Sequence, residues 1–357
     1  MGALYDKTQR EKETPTADHF ILGFWVKTEP FWTVHQEKAL TALQISPVRR
    51  HSVVLFCMVE PVLSEFQSEK WKAYRVTAGD LPKKTFILAS EFAENILFCP
   101  WITGYDLQAL AKRCSSQFLD FLPEISDILN KIAVKSVCQL VPLSGSLFYN
   151  LNSCYSDKYG RSLPLCFMGA KRELRNNQWV TRISYVNLEA LPNPAYLLIG
   201  DTIATGGTLK AMIKELKKER PTIEIEGIAV FTIAGTTQGA RVTKMLSEIY
   251  PEAEISYVAM TALFGLQPNG TDMPFIHEDS IYPKNLHSKV LRTYGKELGH
   301  EWCSIWDWGD RANNPIKHLT ELSRRITEAA LSGANKEKSE ILSFLEEKVS
   351  VELKRLN

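Results

Sequence analysis

The sequence predicts an α/β protein with a mainly parallel sheet flanked by helices. From about residue 105 onward, apolar runs of strand length alternate with amphipathic helical stripes, which is typical of parallel strands joined by right-handed crossovers. Two turns that contain glycine and hydroxyl residues, at 142–146 and 201–208, directly follow predicted strands. Because the carboxyl ends of parallel strands meet at one edge of a sheet, we expect both turns to border one crevice.

Three regions are predicted. Residues 1–104 form a β-rich (α+β) domain with strands over 19–26, 52–59 and 85–89, residues 105–315 form the α/β core, and residues 316–357 form a helical extension. The many aromatic residues of the first region favour a small β-core. A recognition surface for a base, a partner or nucleic acid is the alternative. The two predicted helices of the extension have apolar stripes and are expected to dock on the body of the protein or on a partner.

Composition limits the function classes. The chain has 357 residues, of which 45% are hydrophobic and 23% charged, as expected of a globular protein. A formal net charge of +1 argues against a general nucleic-acid-binding surface, although a local patch stays open. No apolar run approaches the length of a membrane span, and the polar start predicts no signal peptide. The seven cysteines are scattered without Cys-x-x-Cys spacing, which favours free thiols in the cytoplasm and no zinc site.

The chain is organised around a strand, a glycine loop and a helix. The apolar residues 196–199 predict a buried strand, and the sequence Asp-Thr-Ile-Ala-Thr-Gly-Gly-Thr follows at 201–208. Leu209, Met212, Ile213 and Leu216 then form a helical stripe. Such a turn directs unpaired backbone N–H groups, at the positive end of a helix dipole, into one small space. Ala204, Thr205, Gly206, Gly207 and Thr208 are therefore predicted to bind a phosphate.

Asp201 stands beside this predicted phosphate site. A phosphate pocket gains nothing from a second anion, so the carboxylate is expected to serve another part of the ligand. Ribose hydroxyls are the natural candidate, either directly or through a metal ion. A ligand with a phosphate in the loop and a diol at the strand end is a ribose 5-phosphate.

The motif at 201–208 resembles the phosphoribosyl-pyrophosphate signature of type I phosphoribosyltransferases. With its single acid it is most similar to the uracil phosphoribosyltransferase branch, and the resemblance covers about residues 105–315. It implies the fold of that family, with Asp201 on the ribose and the loop at 204–208 on the 5-phosphate.

Two further segments of the resemblance concern the pyrophosphate. In the family, the loop that here contains Ser144, Gly145 and Ser146 holds the pyrophosphate, often with an arginine that this sequence lacks. The segment 169–186 resembles the mobile hairpin of the family, with Arg172 at its arginine position and Lys171 beside it. Both cations are expected to close over the diphosphate. The alternative is a β-hairpin with a solvated charged tip.

The segment 306–312 is similar to the one with which the uracil branch holds its base. The resemblance assigns Gly309 and Asp310 to the base. Residues 261–305 make a longer connection than is usual in the family, and we expect a surface insertion there. The histidines of this segment fit no metal-ligand spacing, so no protein metal site is predicted.

The resemblance implies a cytoplasmic nucleotide-salvage enzyme. It would transfer ribose 5-phosphate from phosphoribosyl pyrophosphate to a pyrimidine, uracil first, with Mg²⁺ bound to the phosphoribosyl pyrophosphate, and it would be a homo-oligomer. The alternative is a phosphoribosyltransferase fold with altered catalysis that senses a nucleotide. Such a protein could be a regulatory subunit or effector of a larger assembly, associated with nucleic acid or with defence.

Overall fold

The computed structural model of the protein describes residues 62–69, 71–143, 145–175, 178–302, 308–333 and 335–356. The strands predicted over 19–26 and 52–59 lie outside the described residues. The strands are β1 (Val62–Gln67), β2 (Lys72–Thr77), β3 (Lys84–Ala89), β4 (Val137–Leu143), β5 (Leu165–Arg175), β6 (Gln178–Asn187), β7 (Ala195–Gly200), β8 (Ile225–Thr232), β9 (Gly235–Thr236), β10 (Glu254–Met260) and β11 (Leu263–Phe264). The helices are α1 (Glu91–Phe98), α2 (Gly104–Ile125), α3 (Leu151–Tyr159), α4 (Gly207–Glu219), α5 (Thr237–Lys244), α6 (Leu246–Ile249), α7 (Lys284–Glu301), α8 (Trp308–Asn313), α9 (Pro315–Leu331) and α10 (Lys336–Leu356).

The main sheet has the strand order β1-β2-β3-β10-β8-β7-β4-β5-β6. Its six central strands, from β3 to β5, are parallel, whereas β1, β2 and β6 pair antiparallel at the edges. The predicted α/β class with a mainly parallel sheet is therefore confirmed. β1, β2 and β3 fall within the region predicted as a separate first domain, yet β3 pairs directly with β10. The described part of that region is thus an extension of the core sheet.

The sheet is covered on both faces, as the alternation of its side chains requires. All six residues of β7 are buried. Tyr196 and Leu198 join an apolar cluster that includes residues of α1, α2, α7, α9 and α10, whereas Leu197 and Ile199 join a second cluster with α4, α5 and α6. The predicted stripe of α4 is buried in this second cluster. Such double coverage fixes the carboxyl ends of the central strands, where the site lies.

The segment 261–302 corrects one expectation, because it is not a surface insertion. Met273, Phe275 and the apolar face of α7 are buried in the first cluster. Phe275 stacks on Tyr294 with ring centroids 4.8 Å apart. The buried residues Leu286, Val290 and Tyr294 repeat every four positions and so lie on one side of the helix before its kink at Gly295, and Leu298 is buried after the kink. The segment therefore contributes to the core and brings the turn at 271–273 to the site.

The C-terminal helices also dock on the body of the protein. Leu319, Leu322 and Ile326 of α9 and Leu342, Leu345 and Val349 of α10 are buried in the first cluster. Each set follows the three- and four-residue spacing of an amphipathic helix, which explains the docking. Among the helices that the structure describes, none is both long and apolar enough to cross a membrane.

Candidate functional site

A cleft of about 1070 Å³ opens at the carboxyl ends of β4 and β7. Its walls come from the loops after these two strands, the β5–β6 hairpin, the turn at 271–273, and helices α8 and α9. The cleft brings together most of the residues predicted for the site: Gly145, Arg172, Asp201, Ala204, Thr205, Gly206, Gly207, Thr208, Gly309 and Asp310. Ser146 and Lys171 do not line the cleft. Ser144 lies outside the described residues.

The loop between β7 and α4 presents the first turn of α4 to the cleft. Gly206 is the N-cap of α4 and has a φ of 71°, a left-handed conformation that favours glycine. A Cβ atom there would lie 2.8 Å from Cβ of Val242, so a side chain would also clash. No side chain caps this helix in the described structure; the Gly207 N–H donates to the Thr205 Oγ1 at 3.3 Å and the Lys210 N–H to the Gly206 carbonyl at 3.0 Å. The remaining N–H groups of the first turn can bind an anion.

The same loop is tied to the segment that follows β8. The Ile203 N–H donates to the Ala234 carbonyl at 3.1 Å, and the Thr236 N–H donates to the Ile203 carbonyl at 3.0 Å. The Thr236 hydroxyl donates to the Ala204 carbonyl at 2.5 Å. These hydrogen bonds hold the loop in its shape and do not use the N–H groups of Thr208 and Leu209.

Asp201 lies deep in the cleft, directly after β7. Asp201 remains partly exposed to the cleft. Desolvation by the surrounding protein nevertheless raises the pKa of its carboxyl group to about 7. A hydrogen bond from the Thr202 N–H has a weaker, opposite effect on this pKa. A Cβ atom on Gly145 would lie 3.5 Å from Oδ1 of Asp201, so this oxygen faces the loop after β4. In the described part of the chain Asp201 forms no salt bridge. Because its charge is uncompensated, a cation or a ribose diol would be stabilised there.

The loop after β4 contacts the predicted base segment. The Trp308 Nε1–H donates to the Gly145 carbonyl at 3.2 Å, and the indole ring lies 5.4 Å from the ring of Tyr149. The Ser146 side chain is buried, and its hydroxyl has no hydrogen-bond partner in the described structure. Gly145 therefore lines the cleft, whereas Ser146 is buried and does not line it.

The two cations of the hairpin have different surroundings. Arg172 lines the cleft, and its Nη2 donates to the Gly270 carbonyl at 3.2 Å. Burial lowers the pKa of its guanidinium group. The Lys171 side chain is 72% exposed and lies 3.9 Å from Glu173. Arg172 is thus positioned for a ligand in the cleft, whereas Lys171 is a solvated residue of the hairpin.

In the Gly-Asp-Arg turn, the arginine has a structural role. Gly309 and Asp310 line the cleft, and Asp310 forms an ion pair with Lys317 at 2.5 Å. Arg311 is fully buried and donates to the carbonyls of Ile96 and Cys99 at the end of α1, both at 2.8 Å. A cation at a helix carboxyl end is favourable. Arg311 therefore anchors α8 to α1 and fixes where Gly309 and Asp310 lie.

Some residues of the cleft were not predicted from the sequence. Helix α9 contributes a charged wall with Lys317, Glu321, Arg324 and Arg325. In the described residues these charges pair with one another or with neighbouring acids, as in the bond of Arg324 to Glu321 at 2.6 Å. The turn at 271–273 and Thr202 complete the lining. The apolar stripe of α9 was predicted, but no local signal connects the opposite face of this helix to the cleft.

Comparisons with known proteins yield similar folds only. No protein-family model matches the chain, and no curated protein matches it. Among solved structures, the chain is similar to hypoxanthine-guanine phosphoribosyltransferase of L. donovani, with 11% identity over 44% of this chain and 82% of that chain and a TM-score of 0.31. It is similar to adenine phosphoribosyltransferase of Trypanosoma brucei, with 11% identity over 58% of this chain and 95% of that chain and a TM-score of 0.32.

It is also similar to orotate phosphoribosyltransferase of Aeropyrum pernix, with 15% identity over 43% of this chain and 72% of that chain and a TM-score of 0.27. All three structures are phosphoribosyltransferases, but they act on different bases and therefore favour no base, uracil included. At these identities and TM-scores the likeness assigns neither a family nor an activity to this chain.

Proposed function

We propose that the cleft binds phosphoribosyl pyrophosphate and transfers its ribose 5-phosphate to a base, with release of pyrophosphate. One observation carries the proposal: the uncapped first turn of α4 and the carboxylate of Asp201 face the same cleft. The N–H groups of that turn would take the 5-phosphate, as helix N-termini commonly do. Asp201 would accept hydrogen bonds from the ribose hydroxyls. A phosphate and a diol held in this way define a ribose 5-phosphate.

Mg²⁺ is part of the proposal because it fits the residues present. It commonly binds one or two carboxylates together with the phosphates of a substrate. Asp201 is such a carboxylate, and no group of three or more His, Cys, Asp and Glu in the described residues could hold a metal ion without the ligand. When bound, Mg²⁺ would neutralise charge that develops on the leaving pyrophosphate.

The residues of the chain would act mainly by positioning. A bond forms between a base nitrogen and the anomeric carbon as the bond from that carbon to the pyrophosphate oxygen breaks. The pyrophosphate leaves with the electron pair, and the proton of the base nitrogen is lost to water. Holding the two partners in line lowers the entropic part of the barrier. Arg172 would lie near the pyrophosphate, where a preorganised cation stabilises the developing negative charge.

Uracil is the base we propose first. It presents two carbonyls and an N–H, which the turn at Gly309 and Asp310 can match with backbone groups and one carboxylate. The indole ring of Trp308 adds an apolar wall beside it. Adenine, hypoxanthine, guanine and orotate form the comparison panel, because proteins of similar fold act on them.

A second candidate is a nucleotide-binding sensor or regulatory subunit without turnover. It is favoured by the loop after β4, where the described residues 145–149 include no cation. A pyrophosphate would be held more weakly there than in a loop with an arginine. The 5-phosphate site serves both candidates equally well.

The proposal is tested by calorimetric titration with Mg²⁺ and phosphoribosyl pyrophosphate. A pyrophosphate-release assay for each base follows. Gly206→Val should abolish binding without unfolding the chain, because the side chain would clash with Val242 and distort the phosphate loop. Gly79→Val is the control, since a Cβ atom at Gly79 meets no atom within 4 Å. Binding that survives in Gly206→Val would contradict the site, and binding without release under any base would favour the sensor.

A further inference from the structure

Tyr149 lies beneath the cleft and contacts two of its lining residues, Trp308 and Thr202. It ends the short helical segment after Gly145 and is completely buried. Its ring lies 5.4 Å from the ring of Trp308 and meets Phe231 edge-on at 5.5 Å. A Cβ atom on Gly200 would lie 3.2 Å from Cδ1 of Tyr149, so the ring also packs against the end of β7. Packed on these sides, the phenol has a fixed orientation.

The hydroxyl of Tyr149 has two neighbours at equal distance. The Ile233 N–H, which is buried, donates to it at 3.2 Å, and the Thr202 Oγ1 also lies 3.2 Å away. The Ile233 N–H can only donate, so it uses one of the oxygen lone pairs of Tyr149. The Tyr149 proton must then find an acceptor, because a buried donor without a partner is costly.

Thr202 is the acceptor that this hydrogen-bond pattern favours. Its Oγ1 lies within hydrogen-bond distance of the phenol oxygen, whereas the Thr232 hydroxyl, which donates to the Ala234 carbonyl at 2.7 Å, forms no hydrogen bond with the phenol in the described structure. If Tyr149 donates to Thr202, the Thr202 proton is directed away from the protein interior. Thr202 lines the cleft beside Asp201 and is partly exposed. Its hydroxyl is thereby set as a hydrogen-bond donor towards the ligand.

We propose that Thr202 is a ligand-binding residue that donates to an oxygen of the ligand next to Asp201, and that Tyr149 is the residue that positions it. This inference rests on the proposed function, because the ligand is taken to be phosphoribosyl pyrophosphate. Asp201 can only accept hydrogen bonds when ionised, whereas Thr202 supplies a donor. An acceptor and a donor side by side can orient a ribose with its hydroxyls and phosphate oxygens.

The test is a double-mutant cycle on affinity for phosphoribosyl pyrophosphate with Mg²⁺, measured by calorimetry. Thr202→Val keeps the shape and removes the hydroxyl, and we expect an affinity loss of about 10- to 100-fold, the range for a hydrogen bond to a charged group. Thr202→Ser keeps the donor and should retain affinity. Tyr149→Phe should weaken binding in the wild-type background and have no further effect in Thr202→Val.

Tyr294→Phe is the matched control for the loss of a buried phenol. Tyr294 is buried, and its hydroxyl donates to the Phe98 carbonyl at 2.6 Å outside the cleft lining. It should lower the stability of the protein without weakening binding. If Tyr149→Phe behaves in the same way, or if its effect adds fully to that of Thr202→Val, the inference is wrong and the phenol serves stability alone. If the wild type does not bind the ligand, the proposed function itself fails.

Discussion

Replacing Asp201 by asparagine should stabilise the ligand-free protein at alkaline pH. The pKa of this carboxyl group is about 7 in the folded protein, compared with an ordinary value of 3.8. Ionisation of Asp201 therefore opposes folding. This cost is absent below about pH 4, grows as the pH rises towards 7, and is fully present above it. A pKa difference of about three units between the folded and unfolded protein corresponds to ~4 kcal/mol in the free energy of unfolding. Because Asp201 keeps contact with the solvent in the cleft, we expect about half of that.

The assay is denaturant unfolding of the ligand-free wild type and Asp201→Asn between pH 4.5 and 8.5. The gain in the free energy of unfolding should increase across this range and level off above pH 7. Asp157→Asn is the control for removal of a carboxylate, since Asp157 is exposed and pairs with Lys112 outside the cleft. If the gain in the free energy of unfolding does not change with pH, or if the variant is less stable than the wild type at pH 8.5, ionisation of Asp201 does not oppose folding. Asp201→Asn should also lose affinity for phosphoribosyl pyrophosphate.

Three further substitutions test other parts of the site. Gly206→Ala should lower the free energy of unfolding by more than the about 1–2 kcal/mol cost of a left-handed conformation, because its Cβ atom would also clash with Val242, as denaturant unfolding would show. Arg172→Ala should weaken binding of phosphoribosyl pyrophosphate about 10-fold or more by calorimetry, because a charged hydrogen bond to the diphosphate is lost; unchanged affinity would remove Arg172 from the site. Arg311→Met should destabilise the protein by about 1–3 kcal/mol for each carbonyl that loses its donor, namely the carbonyls of Ile96 and Cys99.

The central motif was predictable because its signals are local. The apolar run at 196–199 forms β7, the stripe from Leu209 to Leu216 is buried, and Gly206 has the left-handed conformation for which glycine is suited. The strand at 137–141 was predictable for the same reason, because it follows from a run of apolar residues within one element. The hairpin at 169–186 was expected from the resemblance.

Contacts between distant segments were not predictable in this way. The bond from Arg172 to the Gly270 carbonyl joins residues 98 positions apart, and Tyr149 meets Thr202 across 53 positions. The apolar spacing of α7 predicts a helix with one buried face, which argues against a surface insertion. The surface that this face packs on is formed by α1 and Phe275, and the spacing does not indicate it. No local pattern shows that α9 forms a wall of the cleft or that β3 pairs with β10. Such pairings depend on the whole fold.

The proposed transfer of ribose 5-phosphate to a base is tested by calorimetric titration of the full chain with phosphoribosyl pyrophosphate and Mg²⁺. Pyrophosphate release is then followed on addition of uracil. We expect saturable binding that is lost in Gly206→Val, and release of pyrophosphate that depends on the base. Saturable binding with no release for any base of the panel would keep the ligand and replace the transferase by a sensor. If the wild type does not bind phosphoribosyl pyrophosphate, the proposed function is wrong.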